Sequence, residues 1–229
     1  MIRVPGWVGH TVRRRRRDVI TLGCSLAVVV VTLLMLGRID RVPEVERTVF
    51  HSVNDLPGGL YVVVAPPMFL GTFAAVPLFM IACGLFRKFR MGFVLGIAGL
   101  GAYLLAKAGK AAIGRGRPGE VFENVHLRDV DASGLGFPSG HAAVAAAVVV
   151  AALPYLPKRW RWPVLLFPLF MAFARVYVGA HLPLDVVSGA AIGAAVASLL
   201  HLVVGVPVTP SADPPVVAPT APEEAHAAR

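Results

Sequence analysis

Long apolar runs, separated by short basic or mixed-charge stretches, set the pattern of this chain. The runs cover residues 19–36, 60–86, 91–113, 138–156, 163–179 and 181–206. A helix needs roughly 20 mainly apolar residues to cross a bilayer. The pattern therefore predicts an all-α bundle of six transmembrane helices. The first run is longer than the apolar part of a secretory leader, and Gly37 and Arg38 follow it in place of a small-residue cleavage site. An uncleaved first span is expected. The second run carries Pro66 and Pro67 near its start and Pro77 within it. Its helix is expected to begin near Pro67, where a missing N–H costs nothing, and to kink at Pro77. The third run is rich in glycine and alanine, which permits close helix packing. Between the first two runs, Val45, Val49, Val53 and Leu56 recur at helical spacing after Pro43. They predict a short amphipathic helix in the first outer loop, lying at the membrane surface. The Pro-, Ala- and Val-rich stretch 207–229 has no such pattern and is expected to be a disordered cytoplasmic tail. Three parts result: a basic cytoplasmic N-terminus at 1–18, a six-span domain at 19–206 and the tail at 207–229.

Composition agrees with the pattern. Hydrophobic residues make up 56% of the 229, and charged residues 15%, against about 25% in soluble domains. A net charge of +9 raises the question of nucleic acid, but the basic residues fall in clusters at 13–17, 87–90 and 158–161, between apolar runs. Those are topology signals, with no aromatic-basic surface for nucleic acid. The arginine run at 13–17 has two readings: holding the N-terminus in the cytoplasm, or binding anionic lipid. The loops 37–59 and 114–137 each hold three Lys/Arg and four Asp/Glu. Lacking a basic excess, they belong outside. Both termini are then cytoplasmic and the protein sits in the cytoplasmic membrane. Cys24 and Cys83 lie inside apolar runs without metal spacing and read as small apolar fillers.

Counting spans in this way brings Lys110, Arg117, His141, Arg175, His181 and Asp185 to one outer membrane face. Ionisable residues in such apolar surroundings mark a functional site by default, against the alternative of a self-satisfied polar cluster pinning two helices. The residue types point to phosphate. Arg117 and Arg175 offer planar forks matched to phosphate oxygens, and Lys110 a point charge. Ser139 stands at a helix start, where free backbone N–H groups attract anions. Gly140 lets a ligand approach the backbone. His181 has Asp185 one helical turn on, so one ring nitrogen can face the carboxylate while the other attacks. His141 has no carboxylate in its motif and suits a general acid, then a general base for water. Three cations can stabilise phosphoryl transfer, so no metal and no other cofactor is expected. Lys107 reads as a snorkelling side chain and His126 as part of a solvated loop.

Three motifs, Lys110-AAIGRG-Arg117-Pro118, Pro138-Ser139-Gly140-His141 and Arg175-VYVGA-His181-LPL-Asp185, together resemble the signature of the type 2 phosphatidic acid phosphatase superfamily of integral-membrane lipid phosphatases. The resemblance covers roughly residues 60–205, and the spacings and order match. It implies that His181 attacks phosphorus to form a phosphohistidine, that Asp185 orients it and that His141 serves the leaving group. Lys110, Arg117, Ser139, Gly140 and Arg175 would hold the phosphate. The implied partner is a membrane lipid phosphate within the bilayer, with no protein partner indicated. Polyprenyl phosphate or diphosphate is favoured, with phosphatidic acid and phosphatidylglycerol phosphate as alternatives. Transfer to a sugar or lipid hydroxyl is a rival chemistry, and lipid or anion transport a non-enzymatic one. A vanadate-dependent haloperoxidase has a similar anion site, but those relatives are soluble. One position departs from the family: Ala174 stands where a serine usually precedes the arginine.

Overall fold

The structure, a computed structural model, describes residues 12–38 and 42–207. The first eleven residues and the expected tail from residue 208 lie outside the described residues. In chain order the helices are α1 (Arg16–Arg38), α2 (Glu44–Asn54), α3 (Tyr61–Met68), α4 (Val76–Leu85), α5 (Phe89–Ile113), α6 (Pro118–Val121), α7 (Gly140–Ala152), α8 (Lys158–Tyr177) and α9 (Pro183–Val204). Residues Val12–Arg13 (β1) pair antiparallel with Val206–Pro207 (β2), tying the start of α1 to the end of α9.

α7 is the centre of the bundle, packed against α9, α5 and α8. Its sequence explains the position: ten of its thirteen residues, all Ala or Val, are buried, and small side chains let neighbouring backbones approach closely. The approach is tightest along α9. A Cβ added at Gly189 would overlap the Ser139 carbonyl, and one at Gly193 the Ala143 carbonyl. α1 lies outside, against α9, and turns Val19, Ile20, Leu26, Val30 and Leu34 outward. Cys83 is a buried filler as expected, whereas Cys24 is exposed on α1.

Among the described residues, three helical segments, Arg16–Leu36, Phe89–Ile113 and Pro183–Val204, are long and apolar enough to cross a membrane. A fourth span arises if the segments Gly58–Gly71 and Phe73–Leu85, bent by 66°, count as one. The chain is thus a multi-pass membrane protein. Two of the six expected spans look different in three dimensions. The fourth run forms a shorter helical stretch, Gly140–Tyr155, because Pro138 and Ser139 belong to the preceding loop. The fifth, α8, starts with Lys158, Arg159 and Arg161 and ends with Arg175.

The prolines of the second run also act differently from expectation. Pro66 and Pro67 fall inside α3, near its end. The break comes at Thr72, whose ψ of 154° is extended. Pro77 sits in the first turn of α4, where it starts a helix instead of kinking one.

α2 is the helix expected in the first outer loop, but it presents another face. Val45 and Val49 are exposed, and the buried residues are Glu46, Phe50 and Asn54. This stripe faces α8 and α9. Valine spacing suggested an apolar seam; the seam used is Phe50 flanked by two polar groups with fixed partners. Asn54 donates to the carbonyls of His126 and Tyr177, both at 3.0 Å, and accepts from the His126 N–H at 2.8 Å.

Candidate active site

Three chain segments, 110–117, 139–141 and 175–185, deliver the expected residues to one end of the bundle. Lys110 lies in the last turn of α5. That helix stops at Gly114, whose φ of 69° is left-handed and whose N–H returns to the Lys110 carbonyl at 3.0 Å, a C-terminal arrangement glycine favours. Arg117 immediately precedes α6, and Ser139 immediately precedes α7. Arg175 is in the last turn of α8. Beyond it the N–H groups of Ala180 and His181 both donate to the Arg175 carbonyl, at 3.1 and 3.2 Å. This turns the chain back and sets His181 beside Arg175. Asp185 occupies the first turn of α9, and its carbonyl accepts from the Ser139 N–H at 2.9 Å. That bond joins the starts of α7 and α9.

The charged groups gather closely. His141 lies within electrostatic reach of Arg175, His181, Lys110 and Arg117, and Lys110 within reach of Arg117, Asp185 and Arg175. Lys110 also donates to the carbonyls of Leu135 and Gly136, at 2.5 and 3.2 Å, which fixes the loop leading to Ser139. Arg117 donates to the Asp131 carbonyl at 3.1 Å. Several buried polar atoms here have no protein partner: Ser139 Oγ, Arg117 Nε, Arg175 Nε and His181 Nδ1. Ser139 holds the cap position of α7 without making a side-chain cap bond. Buried polar atoms are normally hydrogen-bonded, so this concentration of unpaired donors marks a place for a ligand rich in acceptor oxygens.

His181 and Asp185 meet the expectation only in part. His181 Nδ1 faces Asp185 Oδ2 at 3.7 Å, an ion-pair separation beyond hydrogen-bond range. Asp185 Oδ2 instead accepts from the Leu182 N–H at 2.9 Å. Nδ1 toward the carboxylate leaves Nε2 as the free nitrogen of the ring. His181 lies in the loop between α8 and α9, outside both helices. Burial pushes its pKa below the ordinary imidazole value, against the opposing pull of Asp185, so the ring is neutral near pH 7.

Sequence reading missed two residues. Arg115 donates to Asp185 Oδ1 at 2.7 Å and grips both carboxylate oxygens of Glu46, at 3.1 and 2.7 Å. Glu46 also accepts from the Leu184 N–H at 2.9 Å, in the first turn of α9. Asp185 is therefore shared between His181 and Arg115. All three side chains are largely buried. Burial alone lowers the Arg115 pKa, but hydrogen bonding to Glu46 and the charges of Asp185 and Glu46 more than offset it, and the net direction is upward. The available signal was the Glu46, Phe50, Asn54 spacing, which places two polar residues on the same helical stripe as an aromatic.

Ala174 is fully buried with Val64, Tyr177, Val178 and Ala180. Its side chain packs into an apolar cluster. Lys107 is exposed, as is His126, whose backbone is held by Asn54.

Residues 87–207 match the family model described as the PAP2 superfamily, more than half of the chain. The chain belongs to the PAP2 superfamily. Among curated relatives of this PAP2 protein, an undecaprenyl-diphosphatase of Sulfolobus acidocaldarius is 31% identical over 108 residues, 47% of this chain and 52% of the relative. The chain thus spans about half the length of that relative. A decaprenylphosphoryl-5-phosphoribose phosphatase of Mycobacterium tuberculosis is 36% identical over 126 residues, 54% of this chain and 67% of the relative. In fold, the chain is similar to the crystal structure of a transmembrane PAP2-type phosphatidylglycerolphosphate phosphatase from Bacillus subtilis. The TM-score is 0.63 at 21% identity, covering 81% of this chain and 94% of that one.

Proposed function

We propose that the protein is a lipid phosphate phosphatase that works through a phosphohistidine. The observation that carries the reading is the set of unpaired donors, Ser139 Oγ, Arg117 Nε and Arg175 Nε, gathered beside two histidines and Lys110. The phosphate oxygens of the substrate sit among Lys110, Arg117, Arg175, Ser139 and the N–H groups at the start of α7. His181 Nε2 attacks phosphorus as the bond to the lipid oxygen breaks, and His141 protonates that oxygen. His141 then takes a proton from water, whose oxygen attacks phosphorus and releases His181 and inorganic phosphate. Asp185 balances the imidazolium that forms, and Arg115 and Glu46 hold Asp185 in place. Charge on the transferring group is met by the three cations, so turnover is expected to survive EDTA.

Six spans, with both termini in the cytoplasm and the site at the outer face of the cytoplasmic membrane, complete the reading. Arg14 donates to the Leu202 carbonyl, and Arg90 to those of Val204 and Gly205. These basic groups collect at the C-terminal end of α9, while Asp185 marks its N-terminal end. A basic cytoplasmic side then fits a site facing out. Polyprenyl phosphate or diphosphate is the favoured substrate, and the two curated relatives, whose names refer to undecaprenyl and decaprenyl compounds, support that choice. The test is phosphate release by purified protein from polyprenyl diphosphate, polyprenyl monophosphate, phosphatidic acid and phosphatidylglycerol phosphate, with and without EDTA. Fastest release from a polyprenyl substrate, undiminished by EDTA, is expected. No release from any of the four would sink the proposal.

A further inference from the structure

A second cavity lies at the opposite end of the bundle from His181. It has a volume of about 510 Å³ and is walled by the start of α1, the residues following α7, the first turns of α8 and the end of α9. Ligand pockets are typically about 300–1,000 Å³. Four cations line it: Arg15, Arg17, Lys158 and Arg161. The apolar side of the wall includes Leu153, Leu165 and Trp162. Trp162 is mostly exposed, and an indole beside basic residues is the usual furniture of a membrane–water interface.

The surroundings distinguish this cavity from a generic basic surface. α1 and α8 each pack on α9 but have little or no contact with one another. A cleft between them therefore has α9 as its floor. The flanks carry outward-facing apolar side chains, Val19 and Ile20 on α1 and Leu166 and Leu169 on α8. A ligand entering from the acyl layer meets apolar walls first and cations at the interface. Two of the cations have prior attachments. Arg161 Nε donates to the Leu156 carbonyl at 3.1 Å, and Arg15 reaches the Pro207 carbonyl at 3.5 Å. Arg17 and Lys158 are exposed. One Asp18 oxygen is taken up by buried His201 at 2.9 Å, and a single carboxylate stands against four cations. Its second oxygen is buried without a partner, an acceptor in the wall for a head-group hydroxyl.

We infer that this cleft holds an anionic phospholipid, its phosphodiester among Arg15, Arg17, Lys158 and Arg161 and its chains between α1 and α8. Phosphatidylglycerol fits: one negative charge for the cations and hydroxyls for Asp18. The assignment is independent of the phosphatase reading, since it uses no residue of that site. It gives the arginine run at the start of α1 a ligand as well as an orientation role.

The test is native mass spectrometry of the full chain, exchanged into nanodiscs of phosphatidylglycerol and phosphatidylcholine and then released. The expected result is selective retention of phosphatidylglycerol, reduced at least about fivefold in Arg17→Gln/Lys158→Gln, since each basic group near an anionic surface contributes a factor of that order. Both positions are exposed, so folding is preserved. The control Arg87→Gln/Lys88→Gln removes as many charges between α4 and α5, outside the cavity, and retains wild-type lipid. Equal retention in all three proteins overturns the inference. So does an equal loss in the control, which would show generic attraction. Displacement by inorganic phosphate would also overturn it, by showing that the cavity takes the free anion without the lipid.

Discussion

The two ends of α9 treat charge in opposite ways. At its N-terminal end Asp185 is completely buried and fixed by Arg115 and the Leu182 N–H. At its C-terminal end the arginines of the N-terminal run and of the α4–α5 turn mostly reach backbone carbonyls or lie exposed. Asp185, Glu46 and Arg115 at the first end are costly to bury and are held by pairing with one another, while Arg175 Nε beside them is buried without a protein partner. Apart from the buried Asp18–His201 pair, the charges at the second end remain near water, where a single pair contributes little. A buried, partnered network can hold a reacting group within a fraction of an ångström. An exposed basic cluster can orient a helix or attract an anion, but it cannot position a nucleophile.

Substitutions at either end of α9 test this difference. His181→Ala should lower phosphate release by roughly 10³-fold or more, measured by single-turnover assay on the best substrate; substantial retained activity would remove His181 from the nucleophile role. Arg115→Gln leaves Asp185 and Glu46 buried without their cation. A loss of about 3 kcal/mol in stability is expected, read by denaturant unfolding in detergent, with kcat falling more than KM rises. The sign of its pH effect also follows. Removing a cation beside the Asp185–His181 pair makes the imidazolium easier to form, so the acid limb of kcat/KM should move to higher pH. An unmoved limb would reduce Arg115 to a structural strut.

Gly189→Ala drives a methyl group into the Ser139 carbonyl. It should cost about 1–3 kcal/mol and weaken phosphate binding by displacing Ser139, seen as a raised inhibition constant for inorganic phosphate. Ala174→Ser should change kcat/KM by less than about fivefold, because the position faces an apolar cluster; its main effect is a buried hydroxyl worth about 1–3 kcal/mol of destabilisation. Smallest of all, Arg14→Gln at the basic end should change stability by less than about 0.5 kcal/mol and leave kcat unaltered. A large catalytic effect there would erase the distinction between the ends.

Much of the site was legible because its residues come as local motifs. The four-residue separation of His181 and Asp185, the Ser139-Gly140-His141 triplet and the paired cations Lys110 and Arg117 can each be read without long-range knowledge. Their convergence followed from span counting, since residues at matching ends of antiparallel helices share a face. Ser139 was placed correctly as the cap of α7; the apolar helix that follows, Gly140–Tyr155, is short for a span. The helix α2 was foreseen, but its buried stripe was not, because valine spacing scores hydrophobicity while Glu46 and Asn54 are buried through specific hydrogen bonds. The prolines of the second run were misplaced for a related reason: a proline signals that a helix is interrupted or started nearby without saying which.

What the sequence determined by itself was a helical membrane chain, a candidate set of cations for an anionic ligand and the nearness of His181 to a carboxylate four residues on. These depend on composition, period and short spacing. Only the tertiary structure decided that Asp185 answers to Arg115 as well as His181, and that Glu46, on a helix 69 residues before Arg115, completes the chain of contacts. Only it placed Ala174 against an apolar cluster. The physical reason is that a buried charge needs a partner in space, and the partner's position along the chain leaves no periodic trace.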